Sequence, residues 1–154
     1  MAEAQKSNLS PSQEDYLEAI LALISQAGVA RVRDIANKLE VGKSAVTAAL
    51  KLLSKRKLVN YDPYQLITLT QQGRKAAEAV AKRHRILRRF LINVLGLNQT
   101  DAENNACRIE HNVDDVLLRK LDGLVEFIEN QPHGKGKEWL KTFRNFCAKR
   151  KTSK

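Results

Sequence analysis

The chain has 154 residues, 43% of them hydrophobic, enough for one domain or two small ones with a real core. No apolar run reaches the roughly 18 residues that span a bilayer, and Met1–Ser10 is polar, without the apolar stretch of a secretory signal. Two cysteines, Cys107 and Cys147, are too few for a disulfide framework and fit a reducing cytoplasm. The net charge of +10 is uneven: residues 131–154 hold 8 Lys/Arg against 1 acid, and residues 31–60 hold 8 against 2. Two basic regions of this kind point to a polyanionic partner such as DNA, RNA or an anionic membrane.

In chain order, Ser10-Pro11-Ser12-Gln13 reads as a helix start, with Ser10 as N-cap, Pro11 in the first turn and Gln13 closing a capping box. Tyr16, Leu17, Ile20, Leu21, Leu23 and Ile24 follow at helical spacing, and Gly28 ends the helix. A short helix over 32–39, a turn at Val41-Gly42 and a second helix over 44–55 make a helix-turn-helix, with Val46, Leu50 and Leu53 inward. Strands are predicted over 58–61 and 66–70, with Asp62-Pro63-Tyr64 as the bend between them. A hairpin directly after a helix-turn-helix is a wing. Thr70 then caps a long helix over about 71–95, with a turn at Gly73-Arg74 near its start. Gly96 to Gln99 break the chain, and Thr100-Asp101 start the next helix. Asp114-Asp115 start another, with Val116, Leu117, Leu121, Leu124, Val125 and Ile128 inward. Pro132, Gly134 and Gly136 mark a linker. A last helix over about 137–149 carries Trp139, Phe143 and Phe146 on one stripe, expected to pack inward. The fold class is therefore mostly α: an N-terminal winged helix-turn-helix over 1–72, an all-helical domain over 73–130, and a basic helix and tail over 131–154.

One run carries metal chemistry. Cys107, Glu110 and His111 stand at i, i+3 and i+4, so on a helix a thiol, a carboxylate and an imidazole share one face. These are the common side-chain ligands of divalent transition metals, and three donors need help from elsewhere. The available partners are Glu14, Asp15, Glu18, His84 and His133. The plain alternative is an ordinary helix with a surface Glu-His pair.

Pro11-Ser12-Gln13-Glu14-Asp15-Tyr16-Leu17-Glu18-Ala19-Ile20 resembles the opening of the diphtheria toxin repressor and manganese transport regulator family. Arg33-Asp34-Ile35-Ala36, Val46-Thr47, the Pro63-Tyr64…Leu69-Thr70…Gly73 exit from the wing, Arg83-His84-Arg85 and the Cys107…Glu110-His111 run extend that resemblance, in order, over about residues 11–130. It implies a metal-activated, homodimeric transcriptional repressor that controls metal-uptake genes and is not an enzyme. It also implies a winged helix followed by a helical dimerisation and metal-binding domain. Larger members continue into an SH3-like domain, for which this sequence is too short.

Position by position, the resemblance gives Asp15, Cys107, Glu110 and His111 to a primary metal site, and Glu18 and His84 to a neighbouring second site. Glu103 falls where some members have another second-site ligand. Arg88 stands where iron-responsive members carry a carboxylate, and a guanidinium neither ligates nor tolerates a nearby cation. The donor set is mixed: Asp15 is a hard oxygen donor, as in manganese-type members, whereas Cys107 is shared with iron-type members. Oxygen donors suit Mn²⁺ and thiolate favours Fe²⁺ or Zn²⁺, so the expected cofactor is a divalent transition metal, Mn²⁺ ahead of Fe²⁺, with Zn²⁺ third.

The DNA-reading residues follow from helix-turn-helix geometry, in which the start of the second helix meets base edges. That assigns Lys43, Ser44, Thr47 and Ala48 to the major groove of double-stranded operator DNA. Arg31, Arg33, Lys51 and Lys55 are assigned to phosphates, which position without specifying. A winged-helix regulator of a small organic ligand is the alternative. A metal-dependent hydrolase is disfavoured, because the chain has neither His-Glu-x-x-His nor a Gly-rich phosphate loop.

Overall fold

The computed structural model describes residues 9–63, 65–131 and 135–151, with Lys151 described by its backbone alone. Two compact units divide between Ala81 and Lys82, inside a long helix. The first holds α1 (Pro11–Ala27), α2 (Val32–Leu39), α3 (Lys43–Lys55), β1 (Val59–Asn60), β2 (Thr68–Leu69) and the start of α4 (Gln71–Asn93). The second holds the rest of α4, then α5 (Gln99–Ile109), α6 (Asp115–Glu129) and α7 (Lys135–Lys151). No helix of the described residues is long and apolar enough to cross a membrane.

Local chemistry sets α1 as its sequence predicts. The Ser10 hydroxyl accepts from the Gln13 amide at 3.3 Å, and Gln13 Oε1 accepts from the Ser10 amide at 3.1 Å, so two amides with no helical partner are satisfied reciprocally. Gln13 Oε1 also accepts from Arg56 Nη1 at 2.6 Å, which links the start of α1 to the end of α3. Gly28 closes α1 in the left-handed region at φ 74° and donates to the Ile24 carbonyl. Leu17, Ile20, Ile35, Val46, Leu50, Leu53 and Ile67 are all fully buried and form one core beneath the helix-turn-helix.

The wing is shorter than expected. β1 and β2 pair antiparallel over two residues each, Val59 with Leu69 and Asn60 with Thr68. Ile67 leaves that register and bridges Ala30, its amide donating to the Ala30 carbonyl at 3.1 Å. Pro63 has no N–H to extend the ladder toward the tip. Tyr64, placed at the bend by its sequence, lies outside the described residues.

Gly73 is not a turn. It lies buried in the first turn of α4, where an added Cβ would stand 1.8 Å from the Leu58 carbonyl oxygen. Thr70 fixes this close approach. Its amide donates to the Leu58 carbonyl at 3.0 Å, its hydroxyl donates to the Lys57 carbonyl at 2.8 Å, and that hydroxyl accepts from the Gly73 amide at 3.0 Å.

In the second unit Leu87 and Leu91 of α4 pack on Ala102 and Ala106 of α5 and Leu118 of α6. Val94, Val125 and Ile128 form a second cluster, covered in part by Leu140 of α7. Asn98 caps α5, accepting from the Asp101 amide at 2.8 Å, so the helix begins at Gln99 instead of Thr100. Asp114 caps α6 in the same way, and the register it sets buries Leu118, Val125 and Ile128. Val116, Leu117 and Leu124, expected inward, are instead exposed, together with Phe127 at 65%. This helix carries apolar residues on more than one face, and only the buried set is spaced to meet α4 and α7.

The aromatic stripe of α7 also departs from expectation. Trp139 and Phe146 are more than half exposed, and Trp139 stacks on Phe143 with centroids 5.6 Å apart. The inward side is made by Leu140 and by Gly136, whose absent side chain lets α7 approach the Ile128 carbonyl. Gly136 is therefore helical, while Pro132 and Gly134 of the expected linker lie outside the described residues. Arg144 donates to the Ile92 carbonyl at 3.2 Å and to those of Asn93 and Val94, occupying acceptors left open at the end of α4.

Arg89 joins α4 to α6 by ion pairs with Asp122, at 3.3 Å, and with Glu129. The hydrogen bond from Arg89, followed by one from Asn93, holds the Glu129 carboxyl below its usual value of 4.5. Because the folded value is lowered, this contribution to stability is present above about pH 4.5 and fades as pH falls through the folded value. Urea unfolding of the protein and of Glu129→Gln is expected to differ at neutral pH, and the difference to shrink below about pH 4.

Candidate functional site

α5 carries the run that ends in Glu110 and His111, but the helix itself stops at Ile109. Glu110 is the C-cap residue, still at helical angles, and donates its amide to the Ala106 carbonyl at 3.0 Å. His111 enters the following turn. The three donors differ in burial: Cys107 is exposed, His111 half-buried and Glu110 completely buried.

A fully buried carboxylate demands compensation, since taking an unpaired charge out of water is costly. Glu110 Oε2 has it, lying 2.7 Å from Nδ1 of His84 on α4. Glu110 Oε1 does not: among the described residues it accepts no hydrogen bond, and His111 Nε2 stands 3.5 Å away. An acceptor buried without a donor is rare and expensive. A cation answers it, and both flanking histidines are metal-ligand types. Residues present thus fit a divalent ion on this part of the site.

His84 reaches a second carboxylate through its other nitrogen, with Nε2 3.0 Å from Glu103 Oε1. Arg88, one turn on from His84, donates to Glu103 Oε2 at 2.8 Å. The structure thus brings His84, Glu103, Glu110 and His111 together within the second unit, as face-to-face packing of α4 and α5 requires. Asp15 and Glu18 belong to the first unit. They stand i, i+3 on α1, both half-buried, beside the buried Glu14. His133, a possible further donor from its sequence, lies outside the described residues. The Arg88–Glu103–His84 linkage has no signature in the sequence, because it depends on how α4 and α5 pack.

On α3 the buried positions Val46, Leu50 and Leu53 leave Lys43, Ser44, Ala45, Ala48, Lys51 and Lys55 exposed on the opposite side. Thr47 flanks that face, half-buried, and its hydroxyl donates to the Lys43 carbonyl at 3.0 Å. With its proton so engaged, Thr47 presents acceptor lone pairs outward, which suits amino groups of adenine or cytosine. Ala48 offers only a methyl. Arg31 is exposed at the N-cap of α2, and Arg33 is exposed but partly neutralised by Asp34 at 3.3 Å. Ala45 was absent from the expected DNA-facing set, and its exposure follows from the register set by Val46.

Residues 8–67 match the family model described as the iron-dependent repressor N-terminal DNA-binding domain, and residues 70–138 the iron-dependent repressor metal-binding and dimerisation domain. Among solved structures the chain is similar to a manganese-dependent transcriptional repressor in complex with manganese, at 31% identity and TM-score 0.69, covering 79% of this chain and 56% of that one. It is similar to the manganese regulator SloR at 30% identity and TM-score 0.68, over 77% of this chain and 55% of SloR. ScaR with bound Zn²⁺ matches at 29% identity and TM-score 0.61, over 75% and 54% of the two chains. The chain thus spans little more than half the length of these relatives.

Proposed function

The chain belongs to the diphtheria toxin repressor and manganese transport regulator family, and from that premise we propose that it is a metal-sensing repressor of transcription acting on metal-uptake genes. The observation that carries this reading is the buried, half-satisfied Glu110 between two histidines, in the same chain as a winged helix with an exposed basic recognition face.

In the proposed mechanism a divalent ion supplies a multidentate cross-link when bound. Cys107, Glu110 and His111 would hold it from the second unit, with Asp15 as the donor from α1. Glu18 and His84 would form the neighbouring pair of donors. Donors on both units would tie the DNA-binding unit to the dimerisation unit, and would thereby set the spacing of two α3 helices in a homodimer. Affinity for operator DNA and affinity for metal then raise each other, as linkage requires. The exposed Leu117, Leu124 and Phe127 of α6 supply apolar surface suited to the homodimer contact. At the operator, Lys43, Ser44, Thr47 and Ala48 meet the major groove, and Arg31, Arg33, Lys51 and Lys55 meet phosphates. The site of action is the cytoplasm, where operator DNA is.

Mn²⁺ is the proposed effector ahead of Fe²⁺. Three carboxylates, Asp15, Glu18 and Glu110, give the donor set a hard character, which the single thiolate of Cys107 moderates toward Fe²⁺ or Zn²⁺. The test is a titration of chelator-treated protein against double-stranded DNA selected from a random pool, with Mn²⁺, Fe²⁺ and Zn²⁺ in turn. The expected result is DNA affinity that rises with metal, with Zn²⁺ acting at lower free concentration than Mn²⁺ because intrinsic affinity follows the divalent-metal series, so that availability in the cell selects Mn²⁺. DNA binding that ignores all three metals would instead support regulation by an organic ligand.

A further inference from the structure

Arg88 and Glu103 have no part in the mechanism above. We propose that they form a positioning relay for His84: Arg88 holds the Glu103 carboxylate, and Glu103 fixes the imidazole ring, orienting this ligand without binding metal itself. The inference rests on the proposed role of His84 as a metal ligand.

The geometry points one way around the ring. Nδ1 faces the buried Glu110 carboxylate at 2.7 Å, and Nε2 faces Glu103 at 3.0 Å. Two donors held at about 2.1 Å on one ion stand roughly 3 Å apart, so Nδ1 and Glu110 need only a small opening to share one. Glu103 is differently placed. Both its oxygens are committed, Oε1 to His84 and Oε2 to the Arg88 guanidinium at 2.8 Å. To become a ligand it would have to release Arg88 and accept a divalent ion beside a permanent positive charge. As an acceptor for the Nε2 proton it needs no rearrangement. Metal-bound histidines nearly always donate their other N–H to a carboxylate or carbonyl, which fixes tautomer and ring orientation and raises ligand basicity.

The ring's burial agrees with this assignment. The His84 side chain is 14% exposed, whereas those of Glu103 and Arg88 are 56% and 37% exposed. An ion pair as open as Arg88–Glu103 adds little to folding, so its loss should show in metal binding and not in stability.

The test uses the full chain with ¹⁵N-labelled histidine and Zn²⁺ as a diamagnetic probe. On addition of Zn²⁺ the Nδ1 resonance of His84 is expected to move to the metal-bound range while Nε2 stays protonated. Arg88→Gln and Glu103→Gln are expected to weaken Zn²⁺ about 10-fold to 100-fold in competition with a chelator. The number of ions per subunit should stay as in the unaltered protein, and metal-free melting should move by no more than about 2 °C. Arg88→Lys should recover part of the affinity, because it keeps the charge but not the planar fork. Zn²⁺ on Nε2, unchanged affinity in Arg88→Gln, or an altered number of ions in either variant would overturn the relay and leave the metal-sensing reading intact. A His84 ring that responds to Zn²⁺ at neither nitrogen would overturn the relay together with the proposed role of His84 as a metal ligand.

Discussion

Glu110→Gln is expected to cost the protein its metal response while leaving it folded. The carboxylate is wholly buried, with Oε2 against His84 and Oε1 accepting no hydrogen bond among the described residues. An amide in its place has one oxygen fewer and no negative charge, and its NH₂ group donates where a ligand must accept. Loss of outer partners around a metal typically weakens binding 10-fold to 100-fold, so loss of this inner donor should exceed about 100-fold. Stability of the metal-free protein should move the other way or not at all, because a buried unsatisfied acceptor has been neutralised. Chelator competition and metal-free thermal melting together separate the two effects. Metal affinity within about 3-fold of the unaltered protein would remove Glu110 from the site, since even the loss of an outer partner usually costs more.

Gly73→Ala should be the most damaging single methyl in the first unit. Intrinsic preference favours Ala over Gly in a helix by about 1 kcal/mol, so propensity alone predicts stabilisation. Packing predicts the opposite. The new Cβ would stand 1.8 Å from the Leu58 carbonyl oxygen, a backbone atom that cannot rotate away. That carbonyl also accepts from the Thr70 amide, so moving it breaks the join between β1 and α4. A loss of about 3 kcal/mol or more is expected in denaturant unfolding. Gln72→Ala, an exposed neighbour in the same turn, should change stability by less than about 0.5 kcal/mol. Two variants of equal stability would show that α4 does not need this close approach.

Local signals carried far in the first unit. Ser10, Pro11, Gln13 and Gly28 mark the ends of α1 because capping is chemistry among neighbours in sequence, and the bounds of α2 agree with expectation although no side-chain cap sets its start. The inward face of α3 was legible because only one of its faces is apolar enough to bury. α6 offered more than one such face, so Val116, Leu117 and Leu124 were indistinguishable in sequence from Leu118, Val125 and Ile128. Gly73 looked like a breaker because nothing local reveals the Leu58 carbonyl beside it.

The metal run was legible as residue types and only partly as geometry. Cys107, Glu110 and His111 were evident as donors, but α5 ends before Glu110, and their burial spans the full range. Arg88 was legible as a residue unfit to ligate. Its bond to Glu103, and through it to His84, appears only once α4 and α5 are packed.

The central claim, that a metal held in part by α1 couples the DNA-binding unit to the rest, is tested most directly by Asp15→Ala. Operator affinity of the unaltered protein and of this variant would be measured by fluorescence anisotropy, first with chelator and then across a Mn²⁺ titration. The account predicts equal weak binding of both proteins without metal, and a metal-dependent gain in the unaltered protein alone. An Asp15→Ala protein that still gains operator affinity on addition of Mn²⁺ would contradict it.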